Sequence, residues 1–496
     1  VKALPFGERA FLLDLEIDHL PDRAARTRLA ARWLLANGLA DVAVGAGTLL
    51  LDRVFSWTDL GPAFELALEA VERRRIPDPT RRRHLIPVVY DGPDLIELGR
   101  RLRCEPSEVV RLHSSATYRV ELQGFLPGFA YLGPVEGPLA LPRREAPRPA
   151  VPARSVAVAA GFTAIYPHVS PGGWHLLGRA ITFQPFDPST GSPTLLPGEE
   201  VRFLPAREED LSPLAEAMPP RISTASALRV IAAPACATVQ DRGRPGKLHL
   251  GLPPGGPLDP SAWLAANLAV GNGWNGAAIE IPHGSMEIEA RGRVWFSVDG
   301  EAPRLLSDGE RLRVSGGERA VRYLAVEGGV AAPVLQGSRS TLPSAGLGGL
   351  DGRPLRRGDE IPVVGGAGFS SGAARLVRDL DPGSTVELTV IPGPHPEHFE
   401  PGALDLLTRE VFTVTRLGDR VGVRLAGPKI PAPGRLRLPV PMRRGAIEVT
   451  GDGTPIVLGP DHPVTGGYPV LAVLTRSAQK TLARLRPGHP VRFRAI

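Results

Sequence analysis

Arginines, aspartates and paired glycines are the residues of this chain whose spacing could do chemistry. Thr238-Val239-Gln240-Asp241-Arg242-Gly243-Arg244-Pro245-Gly246 packs an amide, a carboxylate and two guanidiniums into one glycine-bounded turn. Such a turn is either an ion-pair network that orders itself or a set of groups offered to a small anion. Pro142-Arg143-Arg144-Glu145-Ala146-Pro147-Arg148 holds three arginines on a proline-stiffened loop, read as solvated charge or as an anion clamp built on Arg143 and Arg148. Ser170-Pro171-Gly172-Gly173-Trp174 fits a type II turn, with Pro second and Gly third. Its Gly172 and Gly173 amides either close a hairpin or form an anion-binding nest, and Thr465-Gly466-Gly467-Tyr468 carries the same two options. Gly418-Asp419-Arg420 sets an acid beside a base, as a turn-ordering pair or a polar site. Asp259-Pro260 opens a helix, where capping is a simpler role for Asp259 than catalysis. Asn267 shares that helix face only loosely, and Asn272 and Glu280 follow it.

Other chemistries are excluded. Gly246-Lys247 runs into Leu248, so there is no phosphate loop, and no dinucleotide fingerprint, kinase set, H-E-x-x-H or C-x-x-C occurs. His113-Ser114-Ser115 lacks the elbow that exposes a serine nucleophile. The two cysteines, Cys104 and Cys236, have no metal-ligand spacing, so no metal ligands are expected among these residues and both thiols are expected reduced. The 58 basic residues are interspersed with 52 acidic ones, for a net charge of +6, which argues against nucleic acid as a partner. Only four of the basic residues are lysine (Lys2, Lys247, Lys429 and Lys480). No stretch approaches the ~20 apolar residues of a membrane span. Val1-Lys2-Ala3-Leu4-Pro5 runs quickly into Gly7-Glu8-Arg9, unlike a signal peptide, so a cytoplasmic location is expected.

The elements that must position these residues are mainly strands. Gly (57) and Pro (53) exceed a fifth of the 496 residues and are spread throughout, the mark of turn-rich β structure. The organising stretch is Gly124-Phe125-Leu126-Pro127-Gly128-Phe129-Ala130-Tyr131-Leu132, whose mixture of glycines, proline and large apolar side chains predicts a tight, buried bend. It lies in a block from His113 to Phe203 that recurs, diverged, near the C-terminus. Tyr118-Arg119-Val120 with Gly124 and Gly128 matches Phe412-Thr413-Val414 with Gly418 and Gly422. Ser155-Val156-Ala157-Val158 matches Ala446-Ile447-Glu448-Val449, and Pro171-Gly172-Gly173-Trp174 matches Thr465-Gly466-Gly467-Tyr468. Pro197 to Phe203 matches Pro487 to Phe493. Period-2 patterning in both copies predicts two related β-barrels or sandwiches.

Around the copies, residues 1–84 read as a small α+β domain. Its strands are expected at Ala10–Leu15 and Asp41–Asp52 and its helices at Pro21–Ala36 and Gly61–Arg75, both on one sheet face. A strand at His84–Tyr90 and helices at Pro93–Arg103 and Pro106–Ser114 precede the first copy. The boundaries that follow are 85–206 for the first β domain, 207–227 for a polar, proline-marked linker, 228–378 for a third domain and 379–496 for the second copy. The fold class is therefore mainly β with an α+β N-terminal domain.

His113–Tyr118, Gly124–Leu132, Pro142–Arg148, Val151–Val156 and Ile165–Gly178 together resemble the B subunit of 5-oxoprolinase, also called allophanate hydrolase subunit 1 or the kinase-inhibitor-type protein. Thr238–Gly246, Leu258–Glu280, Tyr323–Gly329, Gly337–Thr341, Gly348–Gly358 and Thr465–Tyr468 resemble the C subunit of that enzyme, which is biotin-dependent carboxyltransferase-like. The chain looks like a B–C fusion joined in the linker. The family's usual residues are replaced at Arg154, Phe162, Ala164, Gly418, Val421, Glu448 and His462-Pro463-Val464.

The resemblance implies repeated cyclophilin-like β-barrel domains and ATP-dependent opening of 5-oxoproline to glutamate, with a separate third subunit as partner. It implies ATP and Mg²⁺ as cofactors. It places Asp241, Arg242, Asp259, Asp419 and Arg420 as the catalytic set. A small anionic substrate would be held by Arg143, Arg148, Gly172, Gly173, Asn267, Thr465, Gly466, Gly467 and Tyr468, in a groove between the two halves. Two alternatives come with the family: a carboxyltransferase of the urea-carboxylase or allophanate type, which would need biotin in trans, and a binding module that inhibits a histidine kinase. A homo-oligomer is left open.

Overall fold

The computed structural model describes residues 1–54, 57–73, 82–135, 137–210, 222–317, 319–365, 384–431 and 436–496. The N-terminal unit is a four-stranded antiparallel sheet in the order Lys2–Pro5, Ala10–Asp14, Thr48–Asp52, Asp41–Val44. Its sequence runs Ala-Phe-Leu-Leu-Asp and Thr-Leu-Leu-Leu-Asp are nearly continuous apolar strands, because both faces of the sheet are covered. Phe11, Leu13, Val42, Val44, Leu49 and Leu51 pack under the helices Arg23–Ala36 and Trp57–Glu72. The alternate residues, Ala10, Leu12, Ala43 and Leu50, form one core with Met442, Ala446, Leu458, Val464, Val470 and Val473 of the C-terminal barrel. The stretch 41–52, expected as one strand, is instead a hairpin. Gly47 has φ +84° and Gly45 N donates to Thr48 O at 2.8 Å, so the chain reverses there.

The two sequence copies fold alike. The first is a seven-stranded sheet in the order His175–Arg179, Ser155–Ala159, Phe162–Ile165, Leu126–Gly133, Tyr118–Gly124, Glu200–Pro205, Arg83–Val88. The second repeats that order with Val470–Leu474, Ala446–Val449, Pro455–Leu458, Gly422–Ala426, Val411–Gly418, Pro490–Ala495 and Val386–Pro392. Each contains one parallel pair at the same place, Glu200–Pro205 with Arg83–Val88 and Pro490–Ala495 with Val386–Pro392. The second closes fully through antiparallel pairing of Val386–Pro392 with Val470–Leu474. The first is nearly closed, by a bridge between Val89 and Arg179.

Between the barrels lies a region of two antiparallel sheets. One has four strands, from Ser226–Ala232 to Glu360–Val363, and the other has five, including Thr238–Gln240, Ala278–Pro282 and Val321–Val326. Leu228, Ile279, Ile288, Phe296, Leu324 and Ile361 fill the space between them. The helix Pro260–Ala269 lies against the five-stranded sheet, and its N-cap is Asp259, whose carboxylate accepts from Ser261 N at 2.9 Å and Ala262 N at 3.3 Å. Most of the expected linker, 211–221, and the expected boundary at 378/379 lie outside the described residues. No described helix is long and apolar enough to cross a membrane.

Candidate functional site

The buried bend of the first barrel meets the Gly-Gly segment of the second. Gly124 has φ +155°, and a Cβ there would lie 2.1 Å from Thr465 Oγ1. Only glycine permits that approach of the two halves. Behind it, Phe129 sits edge-on to Phe125, Tyr131, Tyr166 and Trp174, at centroid distances of 5.3, 5.1, 5.2 and 5.4 Å. Arg143 lies over Gly467, both terminal nitrogens 3.6 Å from the position a Cβ would take. No carboxylate among the described residues pairs with Arg143. Burial pushes the Tyr131 and Tyr166 hydroxyls above the ordinary phenol range, and the Arg143 charge offsets part of that rise.

The other arginines of that loop are committed. Asp94 Oδ1 accepts from Arg144 at 2.9 Å and Arg148 at 2.7 Å, and Oδ2 accepts from Leu176 N at 2.7 Å. Burial pushes the Asp94 carboxyl up, but these donors outweigh it and hold it below the usual range. Arg148 thus fastens its loop to the barrel, and Arg143 is the member of the trio without a carboxylate partner among the described residues.

The expected type II turn at Ser170–Trp174 is not formed. It needs a positive φ at Gly172, and neither Gly172 nor Gly173 has one. Ser170–Gly172 is a short strand paired with Arg148–Val151. Its glycine is required for a different reason, because a Cβ on Gly172 would meet the Tyr166 hydroxyl oxygen at 2.3 Å. Thr465–Gly466 is likewise a strand, paired with Val440–Pro441, and a Cβ on Gly466 would meet Met442 at 2.7 Å. These glycines serve close packing, and their amides do not form a left-handed nest.

Two loops, 241–252 and 459–468, lead from this junction into a buried charged network. Arg420 donates from Nε and Nη2 to the two oxygens of Asp461 at 2.8 and 2.9 Å, from Nη1 to Glu280 Oε1 at 2.5 Å, and from Nη2 to Gly256 O at 2.7 Å. Burial alone would drive this guanidinium toward neutrality, but Asp461 and Glu280 outweigh it and hold it charged. Glu280 Oε2 accepts from the Tyr323 hydroxyl and from Leu258 N, both at 2.7 Å, and the same hydroxyl accepts from Asp259 N at 2.9 Å. Arg484 Nε donates to Asp259 Oδ2 at 2.7 Å. The network bolts the barrel, through Arg420, Asp461 and Arg484, to the middle region, through Glu280, Asp259 and Gly256.

The remaining sequence-expected residues divide by location. Asp241 is buried and filled: Oδ1 accepts from Ser338 Oγ at 2.5 Å, Ser340 Oγ at 2.7 Å and Gly243 N at 2.9 Å, and Oδ2 accepts from Arg339 N at 2.6 Å. It orders the 338–340 segment. Arg242 is exposed, and the buried guanidinium of that turn is Arg244, 1% exposed. Asp419 is exposed and accepts from Val421 N and Gly422 N, capping its own turn. Asn267 is buried and donates to Trp263 O at 3.1 Å within its helix, while Asn272 donates to its side chain at 2.9 Å. The side chains that sequence reasoning gave no role are Tyr323 and Asp461, both buried among partners far away in the chain, and the half-buried Arg444, which donates to Pro257 O and Leu258 O.

Comparison with known proteins matches both halves. The family model of the carboxyltransferase domain, subdomain C and D, matches residues 1–196, and that of subdomain A and B matches residues 250–495. The 5-oxoprolinase C subunit of Escherichia coli (strain K12) is 34% identical over 282 residues, covering 54% of this chain and 90% of that protein. The 5-oxoprolinase B subunit of Escherichia coli O157:H7 is 43% identical over 216 residues, covering 41% of this chain and 94% of that protein. The crystal structure of TTHA0988 superposes with a TM-score of 0.84 at 33% identity, over 98% of this chain and 100% of that one. Urea amidolyase of Lachancea kluyveri is 29% identical over 311 residues, which is 54% of this chain but 17% of that protein.

Proposed function

The chain belongs to the carboxyltransferase-domain family, with one half similar to the B subunit of 5-oxoprolinase joined to another similar to the C subunit, and from that premise we propose that it is the B–C component of an ATP-dependent 5-oxoprolinase. The reaction is 5-oxoproline, ATP and water to glutamate, ADP and phosphate, carried out with a separate third subunit in the cytoplasm. A five-membered lactam resists water, and phosphorylation of its oxygen creates a leaving group. This chain supplies buried guanidiniums, charged groups of the kind that stabilise a developing anion.

The observation that carries the reading is that the halves resembling two different 5-oxoprolinase subunits share one interior. Leu12 and Leu50 of the first pack with Met442 and Val473 of the second, and Arg143 reaches Gly467 across the junction. The Mg²⁺ that such a reaction uses does not fit the acids named from the sequence. Asp241, Asp259 and Asp419 are occupied by N–H and O–H donors, and no group of three metal-ligating side chains occurs among the described residues. We therefore assign the nucleotide and its metal to the third subunit. The test is glutamate release that depends on ATP, on 5-oxoproline and on added third subunit; its absence with every candidate third subunit would overturn the reading.

The match of the C-like half to urea amidolyase supports a second reading, a carboxyltransferase that receives its carboxyl group from a biotin carrier in trans. Recovery of a biotinylated partner on the purified chain would favour it.

A further inference from the structure

A cavity of about 370 Å³ lies in the middle region, and every residue lining it falls between Ile222 and Pro362. It shares no residue with the junction of the two barrels, and its size is at the lower end for small-molecule sites. One wall is the start of the glycine-rich stretch Gly348–Gly358, with Leu350, Asp351 and Arg353 facing the space. That wall is rigid. Gly348, Gly349, Asp351 and Gly352 all have left-handed backbone, with φ of +72°, +54°, +55° and +65°. A Cβ on Gly348 would collide with Ser340 O, and one on Gly352 with the backbone of Gly346, so close packing on the 340–346 segment fixes the loop. The opposite wall is apolar and includes Ile222, Ala227, Ala331, Pro333 and Leu335.

The polar groups of the cavity are acceptors in excess. Arg353 is the one cation of the lining, and its terminal nitrogens are taken. Nη1 donates to Asp359 Oδ2 at 2.8 Å and Pro354 O at 3.0 Å, and Nη2 to Asp359 Oδ1 at 2.8 Å and Asp351 Oδ2 at 3.4 Å. That fork neutralises Asp359 and leaves two further carboxylates, Asp351 and Glu360, on the lining. Glu360 is exposed at the rim, and no ion pair or hydrogen bond reaches its carboxylate among the described residues. Its backbone adds another acceptor. Glu360–Val363 is an edge strand, and alternate residues of such a strand turn N–H and C=O away from the paired neighbour. Pro362 does so, its O accepting from Ala331 N at 2.8 Å, and Glu360 stands two residues earlier on the same side. Pro333, which lines the same space, has no N–H to offer it.

We propose that this cavity binds a small organic amine, its ammonium group donating to the Glu360 carboxylate at the rim and its apolar body lying against Ile222, Ala331, Pro333 and Leu335. An ammonium brings donors and a positive charge to a lining that lacks both, and a charge-assisted bond to a carboxylate is among the stronger ones available at a rim. An anion is discriminated against, because it would meet two carboxylates and a guanidinium already engaged. The cavity is therefore unsuited to oxoproline or a nucleotide phosphate, and the inference stands whether or not the oxoprolinase reading does.

The experiment uses the full chain and ligand-observed NMR at pH 7.5, where an alkylamine is charged. The probes are n-hexylamine, n-hexanol and hexanoate, which share a body and differ in the head group. Hexylamine is expected to bind with a Kd on the order of 1 mM, hexanol roughly five- to tenfold more weakly, and hexanoate more weakly still. Glu360→Gln should weaken hexylamine to about the level of hexanol. Ala227→Leu, which fills part of the space, should weaken hexylamine and hexanol together. Thermal midpoints report whether each variant is folded, and loss of hexylamine binding in either folded variant supports the assignment. Hexanoate binding as tightly as hexylamine, no hexylamine binding to the wild type, or unchanged binding in both folded variants would each overturn it. N-acetyl-lysine methylamide is the last probe; tighter binding of that compound than of hexylamine would overturn the small-amine assignment in favour of a docking lysine side chain.

Discussion

Replacing Arg420 with methionine tests whether the charged network bolts the C-terminal barrel to the middle region. The guanidinium makes four hydrogen bonds: two to Asp461, one to Glu280 and one to Gly256 O. Methionine approximates its volume but leaves two carboxylates, both under 6% exposed, without the cation that hydrogen-bonds to both. Breaking a buried pair from one side costs about 3–5 kcal/mol, because the remaining charge stays desolvated. Glu280 keeps the Tyr323 hydroxyl and Leu258 N as donors, while Asp461 loses both of its Arg420 bonds, so the lower half of that range is the floor. For a cooperative unit of roughly 150–250 residues, 1 kcal/mol shifts the melting midpoint by about 2–4 °C, giving a fall of roughly 6–20 °C. The assay is calorimetry at pH 7.5 with Arg420→Lys alongside. Lysine keeps the charge but not the fork, and should fall between wild type and methionine. Protonation relieves the orphaned carboxylates, so the gap between methionine and wild type should narrow as pH falls. A loss below about 1 kcal/mol, or a gap independent of pH, would refute the reasoning.

Acid should destabilise the protein well above the carboxylate range. Burial lowers His113 to about 3 and His395 and His462 to about 4. Each therefore adds stability that is present above ~6.5 and is lost as pH falls below it, roughly 2 kcal/mol per histidine at pH 5, and an unchanged denaturation midpoint between pH 7.5 and 5 would contradict this. Glu448 shows the opposite sign. Burial raises it to about 7, against the pull of Arg424, so its cost appears as pH rises above ~4.5; Glu448→Gln should stabilise by about 1–3 kcal/mol at pH 8 and by less near pH 5, read from denaturant midpoints. Gly124→Ala should cost roughly 1–3 kcal/mol by driving a methyl into Thr465, and adding Thr465→Gly should recover part of it in the same denaturation assay. Residues 1–210 and 222–496 expressed as separate chains should co-purify through the core that Leu12, Leu50, Met442 and Val473 share, and independent elution on gel filtration would show that core to be dispensable.

What the sequence made legible was local or repeated. Asp259-Pro260 predicted a capped helix, and the cap forms, because every group involved lies within four residues. The repeat survived divergence because its anchors fall at the same strands of two barrels with one strand order. The Gly-Gly segments misled because a type II turn and a strand that needs close approach ask for the same residues, and the deciding neighbours, Tyr166 and Met442, are not adjacent to them in the chain. Gly418-Asp419-Arg420 was correctly polar, but its acid and base turn apart. Asp419 caps its own turn, while the partners of Arg420 stand 140 and 41 positions away. Such a pairing leaves no periodicity to read.

Ala157 and Glu448 show the two copies diverging where their surroundings differ. Ala157 of the first barrel pairs with Ala164 and Leu176, on a face closed over by Phe129, Tyr131, Trp174 and the N-terminal helices, where only small apolar groups fit. Glu448 holds the same position in the second barrel, paired with Ile456 and Val470, beside Arg424 and partly open. The strand order is common to both, so the barrel itself does not dictate the residue; what lies over it does. In the first copy the covered face is cement, fixing the α+β unit whose second sheet face then seats the other barrel. In the second copy the same face sets Ala446 and Val470 against the N-terminal sheet, and Glu448 stands half-buried beside them, where an acid whose charge burial opposes persists. Fusion of the halves therefore adds no interface of its own: the tether joins two parts that a shared hydrophobic interior already holds in register.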